Sequence, residues 1–147
     1  MSGGKRTITS VILCAVGILG GWTDVKAQAA MPDARQMSGI PRPVDDLPGG
    51  TVSVRLVRGD LSNNIVNHPV ELHVGGKVTV VATDENGRAQ FGGLTPGAPL
   101  KAVAVVDGER LESQEFAAPA GGGIRMLLVA VDKEKEARRR KRPRRRR

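Results

Sequence analysis

From Thr51 onward, apolar and polar residues exchange places at almost every step. In Thr51 to Arg58, Val52, Val54 and Leu56 fall on one side while Ser53 and Arg55 fall on the other. Pro69 to Val74 repeats the pattern, with Val70, Leu72 and Val74 set against Glu71 and His73. Lys77 to Thr83 puts Val78, Val80 and Ala82 on one face, and Arg88 to Phe91 places Ala89 and Phe91 inward. A period of two is the signature of strands that bury one face. Leu100 to Val106 and Ile124 to Val131 are denser apolar runs, as suits strands central in a sheet or covered on both sides. Leu111 to Phe116 completes a set of seven, and no stretch of this region repeats with a helical period.

The breaks between the runs carry turn chemistry. Asp84-Glu85-Asn86-Gly87 and Asp107-Gly108 contain residues that tolerate positive φ, so both are predicted to close hairpins. Thr95-Pro96-Gly97 is a Pro-Gly reversal, and Asn63-Asn64 and Gly75-Gly76 mark two further breaks. Turn signals about every ten residues between short strands predict an all-β sandwich or small barrel. The ~80 residues of 51–132 suffice for one core, burying roughly 60–65% of the unfolded chain's surface. With two phenylalanines, no tyrosine and one tryptophan (Trp22, outside this region), that core is left to Val, Leu and Ala.

Upstream the pattern changes. Lys5 and Arg6 precede a mostly apolar run from Ile8 to Trp22, and Ala27-Gln28-Ala29 supplies the small-x-small sequence a signal peptidase requires. Residues 1–29 therefore read as a secretory signal peptide, cleaved after Ala29 or, second, after Ala27. The run is short for a bilayer-spanning helix, and the alternative is an uncleaved N-terminal anchor. Cys14, the single cysteine, lies inside the apolar run and not at its end, where a lipoprotein signal would place it. The mature chain then has no cysteine and lacks the disulfides common in small exported domains. Residues 30–50, with four prolines, paired Asp45 and Asp46 and no apolar period, read as a flexible spacer.

Charge divides the chain more sharply than hydropathy does. The net charge is +8, yet Ala30 to Ala137 holds 11 basic and 14 acidic residues, a net of −3. Nine of the last ten residues are basic: Arg138, Arg139, Arg140, Lys141, Arg142, Arg144, Arg145, Arg146 and Arg147. A body of this kind argues against a nucleic-acid-binding fold with a basic face. The nine residues form instead a candidate site for anionic surfaces, approached through the mixed-charge run Asp132 to Glu136. Like charges so dense repel one another, and 133–147 is predicted to be a disordered charged tail. Behind an export signal, its natural partners are lipid head groups, lipopolysaccharide and cell-wall polymers, each basic residue contributing ~1 kcal/mol near such a surface.

The order of strands and turns resembles a known family. Gly50 to Val52 opens a strand that an exposed loop separates from Pro69-Val70-Glu71-Leu72. Thr83-Asp84-Glu85-Asn86-Gly87-Arg88-Ala89-Gln90-Phe91 follows, and then Gly93-Leu94-Thr95-Pro96-Gly97. This resembles the carboxypeptidase regulatory-like (transthyretin-like) domains, which carry a Thr-Asp-x-x-Gly-x-Phe hairpin leading into a Gly-Leu-x-Pro-Gly turn. The resemblance covers residues 51–132 and implies a seven-stranded Greek-key β-sandwich of the immunoglobulin-like or prealbumin-like kind. Phe91 would then drop into the core and Leu94 close one end. The motif residues of that family are structural, so the resemblance implies no catalytic role. Ala89 stands where the family often has an aromatic, which implies a thinner core.

Catalytic and metal chemistry find little support. His68-Pro69-Val70-Glu71 carries a His-x-x-Glu spacing, but the only other histidine, His73, would lie on the opposite face of an extended strand, and a catalytic zinc needs three converging protein ligands. Asp84, Glu85 and Asn86 could offer oxygens to calcium, but the full alternating acidic loop is missing and an Asx turn uses the same residues. No nucleophile–base pair stands out, and the tyrosine-containing ending of the transthyretin-like hydrolases is absent. The expectation is a protein that is not an enzyme and has no cofactor: an exported, periplasmic or extracellular binding or structural module of the cell envelope. A carbohydrate-binding module is an alternative, but only Phe91 and Phe116 are aromatic in the mature domain, so a protein or surface ligand ranks above a sugar. A protein acting on nucleic acid through the arginine-rich tail is a second.

Overall fold

A computed structural model describes residues 32–141, and the expected signal segment and the arginines from 142 onward lie outside the described residues. The described part is mostly β, in two sheets. Its strands are β1 (Arg42–Val44), β2 (Thr51–Arg58), β3 (Pro69–Val74), β4 (Lys77–Ala82), β5 (Arg88–Phe91), β6 (Pro99–Val106), β7 (Glu109–Glu112), β8 (Phe116–Ala117) and β9 (Gly123–Ala130). A 3₁₀ turn at Ala34–Met37 precedes them and a helix, α1 (Lys133–Lys141), follows. The first sheet has the order β1-β9-β2-β5, and the second β4-β3-β6-β7 with β8 beside β6.

The inward-facing residues of the two sheets meet in one apolar core. Val52, Val54 and Leu56 of β2 and Ile124, Met126 and Leu128 of β9 pack with Val70 and Leu72 of β3 and Leu100, Ala102 and Ala104 of β6. Phe91 is buried among them, as its place in the alternation predicts, and Leu94 packs at the margin. The dense runs are the central strands: β9 lies between β1 and β2, and β6 between β3 and β7. β2 and β9 pair in parallel along their full length, from Thr51 opposite Gly123 to Arg58 opposite Ala130. Two turns behave as their residues predict. Gly75-Gly76 joins Val74 to its partner Lys77, and Asp107-Gly108 joins Val106 to Glu109, with positive φ at all four positions.

Five expectations need correction. Val78 and Val80, read as inward, are 51% and 56% exposed. The two-residue glycine turn fixes the register so that Val81 faces Val70 and Thr79 faces Leu72, which turns Val78 and Val80 to the outer side beside His73 and Glu71. Asp84–Gly87 closes no hairpin, because β4 pairs with β3 in one sheet and β5 with β2 in the other. It is instead a tight crossing between sheets. Asp84 Oδ1 accepts from the backbone N–H groups of Asn86 and Arg88, as in an Asx turn. Gly87 is needed here, since it has φ +69 and a Cβ would lie 2.8 Å from the Leu56 carbonyl oxygen.

The strand expected over Leu111 to Phe116 is two shorter ones, interrupted where the buried Ser113 hydroxyl accepts from the Ala102 N–H. Residues 30–50 are not a free spacer over their described part. β1 pairs with β9, the Gly39 N–H donates to the Leu127 carbonyl, and Gly39 in turn accepts from Gln114. This segment docks through backbone pairing and a few single side chains such as Ala34 and Ser38, so it needs no apolar period. The tail expectation fails over 133–141, which is helical. Asp132 caps that helix by accepting from the Lys135 N–H, and Glu134 and Glu136 lie in its first turn with Arg138 to Lys141 in its last. That order matches the helix dipole. Each run expected as a strand between Thr51 and Val131 contains strand residues, the Leu111 to Phe116 run being divided between β7 and β8, and β1 adds to them.

Candidate functional site

The outer face of the first sheet gathers arginines that lie far apart in sequence. The ladder sets Arg42 of β1 opposite Arg125 of β9, and Arg125 opposite Ser53 of β2. One row further, Leu127 faces Arg55, and Arg55 faces Arg88 of β5. Beyond that row, Val57 and Val129 are buried under Ala34 of the 3₁₀ turn. The N-terminal segment is thus a ridge along one side of the sheet, held by the Ser38 hydroxyl accepting from the Val129 N–H.

A second ridge comes from the β2–β3 loop. Asp60 shapes it by accepting from the Ser62 backbone N–H and hydroxyl. These donors hold the Asp60 carboxyl below the usual carboxylate range, with Lys135 adding to the effect. Arg55 fastens the loop by donating to the Leu61 carbonyl at 2.8 Å and to Asn64 Oδ1 at 2.9 Å. Between the ridges runs a groove of about 230 Å³, with Met37 and Ile40 on one side, Leu61 on the other and Leu127 in the floor. Arg42, Arg55, Arg88 and Arg125 all line it. Asp46 pairs with Arg125 at 2.6 Å, whereas Arg42 and Arg88 have no ion pair among the described residues.

The residues singled out in the sequence fall elsewhere. Arg138, Arg139, Arg140 and Lys141 are exposed on the last turn of α1, and their only ion pair among the described residues is Arg140 with Glu136, at 3.9 Å within the helix. Lys133, which donates to the Asp107 carbonyl, and Lys135, which pairs with Asp60, anchor the start of that helix to the body. Arg142 and Arg144 to Arg147 lie outside the described residues. The histidines are engaged separately: His68 Nε2 donates to the Val105 carbonyl, and His73 Nε2 pairs with Glu71 at 3.0 Å. Among the described residues no group of three or more His, Cys, Asp or Glu is placed to hold a metal ion.

The outer face of the second sheet is charge-balanced. Lys101 and Arg110 both reach Glu112, at 2.5 Å each. The Lys101 ammonium and then the Arg110 guanidinium bring the Glu112 carboxyl down to about 2.

Sequence reasoning missed the groove arginines. The available signal was that Arg55 and Arg88 occupy outward positions of alternating strands, but their meeting depends on which strands become neighbours. Comparison with family profiles, with curated proteins and with solved structures returns no match.

Proposed function

We propose that this protein is a non-catalytic binding or structural module, exported to the cell envelope or beyond, whose arginine-rich end holds it against anionic surfaces. The observation that carries the reading is the partition of charge, with a net of −3 over Ala30 to Ala137 and nine basic residues in the last ten. Exposure of Arg138 to Lys141 on α1 supports it, because those side chains are open to a surface. We also assign the sandwich to the carboxypeptidase regulatory-like, Greek-key type. The support is the chain order of Asp84–Gly87, buried Phe91 and marginal Leu94, followed by the Thr95-Pro96-Gly97 reversal, where the Ala98 N–H donates to the Thr95 carbonyl.

The test compares the chain with a version ending at Ala137, using vesicles that contain anionic lipid. Truncation is expected to abolish binding and leave the melting temperature unchanged. Binding by the longer form should fall steeply with salt, since exposed charges are screened beyond ~8 Å at physiological ionic strength. Equal binding by the truncated chain, or binding that survives molar salt, would reject the tether. Tighter binding to RNA than to vesicles at equal salt would favour a nucleic-acid role instead. Mass spectrometry of the mature N-terminus in the native host tests export: a start at Ala30 or Gln28 agrees with it, and an intact Met1 opposes it.

A further inference from the structure

We propose that the groove on the outer face of β9, β2 and β5 is a binding site for a phosphate monoester that carries an apolar substituent. Arg42 directly faces Arg125, and Arg55 directly faces Arg88, in neighbouring strands. Like charges opposed in this way are unfavourable unless something neutralises them. The carboxylate that does reach the group, Asp46, is occupied by Arg125, and Arg42 and Arg88 have no ion pair among the described residues. The protein therefore gathers four cations on a body of net negative charge and supplies one anion.

Guanidinium is the side chain suited to bidentate recognition of phosphate. A phosphate monoester carries close to two negative charges at neutral pH, with three acceptor oxygens. Two opposed arginine pairs match such a group better than they match a single carboxylate. The groove also has an apolar part. Ile40 and Leu61 remain exposed on its two ridges with Leu127 between them, so a hydrocarbon attached to the phosphate would cover surface that is otherwise wet. Arg55 joins both parts, since the same side chain lines the groove and holds the Leu61 ridge.

The shared chemistry has two sources, a lipid phosphate head group and a soluble organic phosphate, and the experiment separates them. Calorimetric titration of the full chain with hexyl phosphate and with inorganic phosphate should show hexyl phosphate binding at least about tenfold more tightly, given roughly fourfold per methylene fully buried. Arg42→Gln and Arg88→Gln should each weaken hexyl phosphate by about tenfold, the loss of one charge-assisted hydrogen bond. Their melting temperatures without ligand should be unchanged or slightly raised, because repulsion is relieved. Arg110→Gln, on the other sheet, should bind as wild type does. Unchanged hexyl phosphate binding in both groove variants, or equal affinity for the two phosphates, overturns the proposal. Displacement of hexyl phosphate by vesicles containing a lipid phosphate monoester identifies a lipid source. Retention of hexyl phosphate against those vesicles identifies a soluble one, and either result keeps the site.

Discussion

The two outer faces of the sandwich are built on opposite plans. On the second sheet Lys101 and Arg110 converge on one glutamate and His73 meets Glu71, while Val78, Val80 and Val105 stand about half exposed around them. On the first sheet the apolar residues Val57 and Val129 are sealed under the 3₁₀ turn, and the charges are left unbalanced. One face has settled its charges and left Val78, Val80 and Val105 wet while burying Val103, and the other has sealed its valines and left charges unpaired. An exposed valine on a balanced sheet asks for little explanation, because apolar atoms make up much of any protein surface. Two opposed arginine pairs that share one counter-charge, Asp46, do ask for one, and for that reason the first face carries the candidate site.

The largest effect expected from a single change lies between the faces and calibrates both. Phe91→Ala should lower stability by about 3–5 kcal/mol, and a denaturation midpoint near wild type would show that the ring is not the core residue its burial implies. The comparison itself is tested by a matched pair. Val57→Ala should cost about 1.5–3 kcal/mol, the value of a fully buried valine, whereas Val80→Ala should stay within about 0.5 kcal/mol. Similar losses in the two variants would mean that both outer faces are covered alike. The smallest effect concerns Glu112, whose carboxyl is held at about 2 in the folded chain. A depressed value contributes stability that is present above the usual 4.5 and lost as pH falls toward 2. Melting curves of Glu112→Gln should therefore lie slightly below wild type at neutral pH and merge with it near pH 2. A gap that stays constant with pH would remove the ion trio from the account of that face.

The inward residues of β2, β3 and β5 were legible because burying one face imposes a period of two, although Thr51, Ser53 and Val57 on the other side of β2 are buried as well. β4 was not, because Lys77-Val78-Thr79-Val80-Val81-Ala82 contains valines in both phases, and only the Gly75-Gly76 turn selects one. Asp84 to Gly87 announced a turn but not the sheet to which the departing strand belongs. The docked N-terminal segment was hidden for a related reason, since Ser38 and Gly39 hold it through hydrogen bonds that no hydropathy pattern records. The groove lay furthest from reach. Arg42, Arg55, Arg88 and Arg125 belong to four strands, and their juxtaposition is a property of sheet order, which single-chain periodicity does not encode.

The parallel pairing of β2 with β9 has a consequence in time. Thr51 meets Gly123 and Arg58 meets Ala130, so the first long strand cannot find its partner until nearly the whole chain is at hand. Contacts so distant along the chain slow folding, and domains dominated by them typically require milliseconds to seconds. Until β9 arrives, β2 has only the four-residue β5 beside it and an open edge on its other side. Refolding after dilution from denaturant should thus be slow for a domain of this size. A version that ends before Gly123 should not fold at all, which makes the last strand the step that commits the molecule.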